Sequence, residues 1–456
     1  MQQHRYAIVG AGPSGLSAAR ALQKAGIAFD GYEASRGVGG LWDIENPRST
    51  MYESAHLISS RTTTEFAEFP MKTDADYPSH RTLIEYFRDY AEHFRLTEHF
   101  AFETKVTALE RADDGLWTLR ADGPDGPIEE RYDGVILANG TLAEPNVPEF
   151  RGEFTGEIMH TSKYKTATQL TGKRVLIIGA GNSGCDIAVD AVHHAASVEM
   201  SVRRGYYFVP RYIFGKPSDT LNQGRPLPRP IKQFIDARVL RAFTGDPTRF
   251  GFPKPDYKIY ESHPIVNTLI LNHLGQGDLR IRPDVDRFDG DTVHFRDGTS
   301  GQYDLVLLAT GYTLDYPFVA REELNWSGWA PNLFLNIFPP PIDGAFNGLF
   351  VMGMIEASGI GWQGRYEQAE LIAAYLTATP DRRAAFRRRI MDAPWPDLTA
   401  GYRYLGLERM SYYVNKDAYR RAVREATAEL RGDGAGAGRG IRSSSPARRA
   451  PEKVTA

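Results

Sequence analysis

Gly10-Ala11-Gly12-Pro13-Ser14-Gly15 and Gly179-Ala180-Gly181-Asn182-Ser183-Gly184 are the two stretches that decide the fold. Each comes after a short apolar run, Tyr6-Ala7-Ile8-Val9 or Arg174–Ile178, and each opens a helix, from about Ser14 to Ala25 and to about His193. A second strand comes next in both cases, over Ala28–Tyr32 and Ser197–Val202. In such a unit the glycines meet three needs: a tight turn, close approach of backbone to a pyrophosphate, and packing of helix on strand. The helix N-terminus then offers free N–H groups to the anion. One loop alone is a weak signal; strand, loop and helix in register make it strong. Two such units predict an α/β protein with two Rossmann-like dinucleotide-binding domains, the second inserted into the first. Such a chain passes hydride between a nicotinamide and a flavin.

The residues just after each second strand tell the two sites apart. Glu33 closes the first unit and is placed to accept hydrogen bonds from an adenosine ribose. Counted alike from Gly184, the second unit has Val202, then Arg203 and Arg204. An acid there would repel a ribose 2′-phosphate, whereas guanidinium binds it bidentately. The first loop therefore reads as an FAD site with Gly10, Gly12, Pro13, Ser14, Gly15 and Glu33. The second reads as an NADPH site with Gly179, Gly181, Asn182, Ser183, Gly184 and either Arg203 or Arg204. Gly40, Leu41 and Trp42 lie beyond the first unit, where adjacent Gly39 and Gly40 let backbone pass near a flat ring; Trp42 is either beside that ring or plain core. Val106 is a further candidate on the flavin side.

The chain has 456 residues, a formal net charge of −3 and one cysteine, Cys185. That length allows two or three domains. The charge gives no reason to expect nucleic acid or an anionic membrane as partner. A lone cysteine excludes an intrachain disulfide and the redox pair of a disulfide reductase. With no apolar run near bilayer length and no room for a signal peptide before Tyr6, a soluble cytoplasmic protein is expected. The expected domains are 1–164 (flavin, first part), 165–302 (nicotinamide), 303–430 (flavin, second part) and a disordered tail over 431–456. Within the second, the Pro-, aromatic- and basic-rich stretch 206–262 reads as a cap, its Tyr206, Tyr207, Phe208, Tyr212 and Phe214 lining an entrance or forming a small core. An amphipathic helix is expected over Glu367–Thr377. His193-His194 lacks a spaced third ligand, so no metal is expected.

Between the loops lies Phe154-Thr155-Gly156-Glu157-Ile158-Met159-His160-Thr161-Ser162-Lys163-Tyr164, an FxGxxxHxxxY pattern. With Pro145–Gly152 before it and Ala309-Thr310-Gly311-Tyr312 beyond, the chain resembles the flavin-containing monooxygenases, a group of class B flavoprotein monooxygenases. The resemblance implies FAD reduced by NADPH, dioxygen forming a C4a-hydroperoxyflavin, and transfer of one oxygen to an amine or sulfide of a small-molecule substrate. Thr310 and Gly311 enter as cofactor-side residues. Gln368 resembles a family Gln on a helix facing the flavin, or is a surface residue. His160 is a candidate for proton transfer, with positioning of the interdomain hinge and the nicotinamide as the favoured role. Where many relatives carry an Asn near the flavin this chain has Leu57-Ile58-Ser59-Ser60-Arg61-Thr62, and Ser60 is the best match. Its function would then fall to Ser60, Thr62 or a water. Tyr164-Lys165 stands where the related Baeyer–Villiger enzymes usually have Trp with Pro or Asp, which favours heteroatom oxygenation over ketone insertion. Amino-acid N-hydroxylation and a non-oxygenating nucleotide sensor are the other readings. The family also implies a homodimer. The basic tail, with Arg439, Arg442, Arg448, Arg449 and Lys453, reads as a solvated charge cluster.

Overall fold

The computed structural model describes residues 4–221, 227–341 and 346–433. Two five-stranded, all-parallel sheets carry it. The first runs, edge to edge, Leu349–Val351, Gly134–Leu137, Arg5–Val9, Ala28–Tyr32 and Phe100–Ala101. The second runs Glu157–His160, Leu305–Leu308, Arg174–Ile178, Ser197–Ser201 and Leu279–Arg282. Their central strands are continuous apolar runs because both faces are covered: Ala7, Ile8, Val175, Leu176 and Ile177 are all fully buried.

The two units share one plan. In each, a three-stranded antiparallel meander precedes the fourth strand, over Lys105–Tyr132 in the first and Val285–Gln302 in the second. The fifth strand comes from opposite directions. The first sheet takes it from downstream, at Leu349–Val351, and the second from upstream, at Glu157–His160. Strands 157–160 and 305–308 therefore build the nicotinamide-type sheet, although they lie outside the span 165–302 read from sequence. A strand joins the sheet that its edge completes, and that partner is remote in sequence.

The helix Pro13–Ala25 starts on Pro and stops at Gly26, whose φ of 67° lets its N–H close on the carbonyls of Leu22 and Gln23. Against it packs Gly361–Thr377, which in turn carries Lys416–Arg431. The late helix starts six residues before the expected Glu367. It is buried almost all round instead of being amphipathic, since neighbours cover two of its sides. The stretch 206–262 contains a helix that its sequence hides, Arg229–Thr244. Ile231, Phe234, Ile235, Val239 and Phe243 face outward there while Gln233 and Leu240 face in, so no apolar inner stripe announces it. The aromatic set splits: Tyr206 lines the central cavity, Phe208 packs on Phe252, and Phe214 is exposed. Among the described residues no helix is long and apolar enough to cross a membrane. The last helix runs to Arg431, and the expected tail from residue 434 onward lies outside the described residues.

Candidate active site

The two glycine loops have near-identical geometry. Gly10 and Gly179 take φ of +103° and +105°, and a Cβ on either would meet the carbonyl oxygen of Ala138 or Ala309 at 2.6 or 2.5 Å. A Cβ on Gly15 or Gly184 would sit 1.8 or 2.3 Å from the carbonyl oxygen of Gly10 or Gly179. These four glycines are demanded by the chain's own packing. Gly12 and Gly181 are not. Their φ of −73° and −69° suits any residue. A Cβ on Gly12 would only touch Gly40 at 3.6 Å, and one on Gly181 would meet nothing within 4 Å. Both helices lack a side-chain cap and an acid in the first turn, so their N–H groups are left for an anion. The open space beside each middle glycine fits a pyrophosphate.

Both loops open on one cavity of 2780 Å³. Single-ligand pockets span about 300–1,000 Å³, so this volume suits two dinucleotides and a substrate. Gly10, Gly12, Pro13, Ser14, Glu33, Gly40, Leu41, Trp42 and Val106 line it on one side. Glu33 also braces the loop, accepting from Ala11 N at 2.6 Å and from Ser35 N and Oγ at 2.8 Å. Gly179, Gly181, Asn182, Ser183, Gly184, Arg203, Arg204, Thr310 and Gly311 line the other side. Arg204 pairs with Asp256 at 3.3 Å, whereas Arg203 is exposed and has no carboxylate partner among the described residues. Asn182 ties its loop to the lobe, accepting from Val266 N at 2.7 Å and donating to Pro264 O. Trp42 meets Trp362 edge to face at 6.0 Å between ring centres, forming an apolar wall.

Three candidates stand behind the cavity wall. His160 accepts at Nδ1 from Ser162 N at 3.1 Å, so Nε2 carries the hydrogen and donates to Gly311 O at 3.1 Å. Burial lowers its proton affinity, and both of its ring nitrogens are engaged in clamping one segment to another. What it clamps is the double crossing between the domains. Glu144–Pro145 and Tyr312–Thr313 pair antiparallel there, with Asn146 N donating to Gly311 O and Thr310 Oγ1 donating to Asn146 O. Ser60 is buried with Oγ and N both turned to Asp219 Oδ2, at 3.0 and 2.7 Å, so its hydroxyl fastens the cap. Its neighbour Ser59 lines the cavity, hydrogen-bonded to cavity-lining Thr64 at 2.8 Å. Gln368 is fully buried. It accepts from Gly353 N at 3.0 Å and donates to Tyr419 OH at 2.7 Å, which sets Gly353 against Ser14.

Sequence reasoning missed two sets of contacts. Tyr164 donates to Asp190 Oδ2 at 2.9 Å within the second unit, while Tyr52 donates to Asp186 at 3.1 Å and Lys165 donates to the Ser49 and Met51 carbonyls, docking the first unit on it. The second group is His263, Glu356, Arg365, Glu408 and Arg409, all lining the cavity. They come from three remote segments with no shared motif, and no local signal brings them together. Among the described residues no cluster of His, Cys, Asp or Glu is placed to hold a metal.

Two parallel dinucleotide sheets around one cavity, one loop backed by an acid and the other by arginines, define a two-dinucleotide flavoprotein oxidoreductase. Residues 3–378 match the family described as flavin-binding monooxygenase-like, and the chain belongs to that family. It is similar to flavin-containing monooxygenase 5 of Cavia porcellus, 30% identical over 382 residues that cover 79% of this chain and 70% of that protein. It is also similar to dimethylaniline monooxygenase (N-oxide-forming) 2 of Oryctolagus cuniculus, 29% identical over 362 residues, 74% of this chain and 67% of that one. A solved oxidized steroid monooxygenase bound to NADP shares the fold with a TM-score of 0.69 at 18% identity, over 94% of this chain and 98% of that one. The chain is an FAD-dependent monooxygenase that uses NADPH.

Proposed function

We propose that this enzyme transfers one atom of dioxygen to a soft nucleophile, an amine nitrogen or a sulfide sulfur, of a small organic substrate. The balance is substrate, O₂, NADPH and H⁺ giving the N- or S-oxide, NADP⁺ and water. The observation that carries the cofactor half of the reading is the pair of middle glycines, Gly12 and Gly181, each free of its own packing and open to one shared cavity. The N-oxide-forming relative supports a heteroatom as acceptor. FAD, once reduced by NADPH, supplies the activation of dioxygen. This chain's residues do the rest. The Gly10–Gly15 loop and Glu33 hold the FAD adenosine and pyrophosphate, and Arg203, with Arg204, selects the 2′-phosphate of NADPH. His160 and Thr310 fix the crossing between the domains. Trp42 and Trp362 keep water from the reacting space, and Ser59 with Thr64 takes over, one position earlier, the polar contact that sequence assigned to Ser60.

The test is turnover of the FAD-loaded enzyme with NADPH, ¹⁸O₂ and either a trialkylamine or an alkyl aryl sulfide. A product heavier by one ¹⁸O, formed in step with NADPH loss, is expected. Stoichiometric peroxide without oxide would make the chain an oxidase, and lactone from a cyclic ketone alone would move it to ketone insertion. The same reading places the enzyme in the cytoplasm, folds it as a flavin domain interrupted by a nicotinamide domain, and pairs it as a homodimer; light scattering of the purified chain checks the last.

A further inference from the structure

One arm of the cavity carries two arginines, Arg365 and Arg409, that belong to neither glycine loop. It is closed by three segments: Ser262 and His263, Glu356 to Arg365, and Gly406 to Tyr412. Backbone and side-chain bonds hold them together. Val414 N donates to Glu356 O at 2.8 Å, Leu405 N donates to Glu261 O at 3.0 Å, and Tyr413 OH lies 3.1 Å from His263 Nδ1 and 3.2 Å from Ser358 Oγ. Arg409 donates to Glu356 Oε2 at 3.1 Å, yet its Nε has no partner and 42% of its side chain stays accessible on the cavity. Arg365 donates to Gly361 O at 2.9 Å and has no carboxylate within ion-pair distance among the described residues. Glu356 lies in the field of both guanidiniums, and burial beside Arg409 holds His263 neutral. Two guanidiniums stand here with two carboxylates, Glu356 and Glu408; Arg365 pairs with neither, and most of the ten guanidinium N–H donors are left over.

An unpaired charge in a low-dielectric arm is costly to keep, and a ligand anion repays that cost. Deepening the heteroatom reading, on which it rests, we propose that Arg365 and Arg409 receive the carboxylate of the substrate. The substrate is then an organic anion whose sulfide or amine reaches the Trp42, Trp362 and Met410 side of the cavity. Arg409 also acts on Tyr206 together with Arg203 and Arg204, so a phosphate of NADPH is the other source of the same anionic chemistry.

Calorimetry on the FAD-loaded enzyme with 3-(methylthio)propanoate and with its methyl ester separates these two sources without requiring turnover. The acid is expected to bind about 10- to 100-fold more tightly than the ester, the range of one charged hydrogen-bonded pair. In Arg365→Gln that preference collapses, and Arg365→Lys restores only part of it because one ammonium cannot form the planar fork. NADPH affinity and ester binding stay within about twofold of wild type. Equal binding of acid and ester by the wild type overturns the proposal, as does a parallel loss of both in Arg365→Gln. A rise confined to the NADPH dissociation constant assigns the arginines to the cofactor and overturns it too. Tight acid binding without ¹⁸O incorporation keeps the carboxylate site and sinks the heteroatom reading instead.

Discussion

Arg203 and Arg204 sit side by side on the cavity with unequal freedom, because Asp256 already engages Arg204. The free guanidinium is the better phosphate ligand. Arg203→Gln is therefore expected to raise the KM for NADPH by about 10- to 100-fold and leave that for NADH unchanged, since charged hydrogen bonds contribute about 1.5–3 kcal/mol. Arg204→Gln should do less; steady-state kinetics with both nucleotides ranks them. His263 makes a second residue-scale case. Burial first, then Arg409, push its pKa down to about 3, while Glu356 and Tyr413 also face it. A folded pKa below the unfolded one means that the unfolded chain takes up the proton first. Stability is therefore complete above about pH 6.5 and lost as pH falls toward 3, by up to about 1.4 kcal/mol per pH unit. Buried His160 has the same sign, so the discriminating measurement is a difference. Between pH 6.5 and 5, above the carboxylate range, denaturant midpoints of His263→Gln should fall less steeply than those of the wild type.

At the scale of elements, the short helix Arg61–Thr64 and the cap are fastened by one carboxylate. Asp219 Oδ2 accepts from Ser60 N, Ser60 Oγ and Thr63 Oγ1, the last at 2.6 Å. Asp219→Ala strands a buried N–H and should cost about 1–3 kcal/mol of stability by denaturant titration. Ser60→Ala keeps the backbone bond and should cost about 1 kcal/mol or less. It should also leave the ratio of oxide to peroxide unchanged, whereas extra peroxide would restore Ser60 to the reacting site. Sequence pointed to this neighbourhood, but which hydroxyl faces the cavity is decided by the turn into a four-residue helix, which brings Ser59 to the lining and turns Ser60 to Asp219. The helix Arg229–Thr244 was illegible for a related reason. Its apolar residues face outward, so the periodicity that reveals most helices is reversed. Strands Glu144–Pro145 and Tyr312–Thr313 are too short to show as elements in sequence, yet their residues flank the two quoted motifs that His160 joins.

Across the whole molecule, the legible features were local and the illegible ones long-range. Each strand–loop–helix–strand unit is specified within its own few dozen residues, so both dinucleotide sites could be read from one pass along the chain. The edge strands Glu157–His160 and Leu349–Val351 find their sheets only through distant pairing, and the arginine arm needs residues 263, 356, 365 and 409 in one place. Glycine roles inside the loops were also beyond sequence, since all look alike until a Cβ is placed on each. That distinction supports a test of the two-site architecture. Gly10→Ala and Gly179→Ala drive a methyl into a carbonyl at positive φ and should damage the fold with or without cofactor. Gly12→Ala and Gly181→Ala find room and an ordinary φ, so the ligand-free protein should melt near the wild-type temperature. A ligand at 100 times its Kd stabilises by about 2.7 kcal/mol, enough to read in a melting curve. Gly12→Ala should lose the shift caused by FAD and Gly181→Ala the shift caused by NADP⁺, each keeping the other. If either variant lost both shifts while melting normally alone, the sites would be one coupled unit and the separate assignment of the loops would fail.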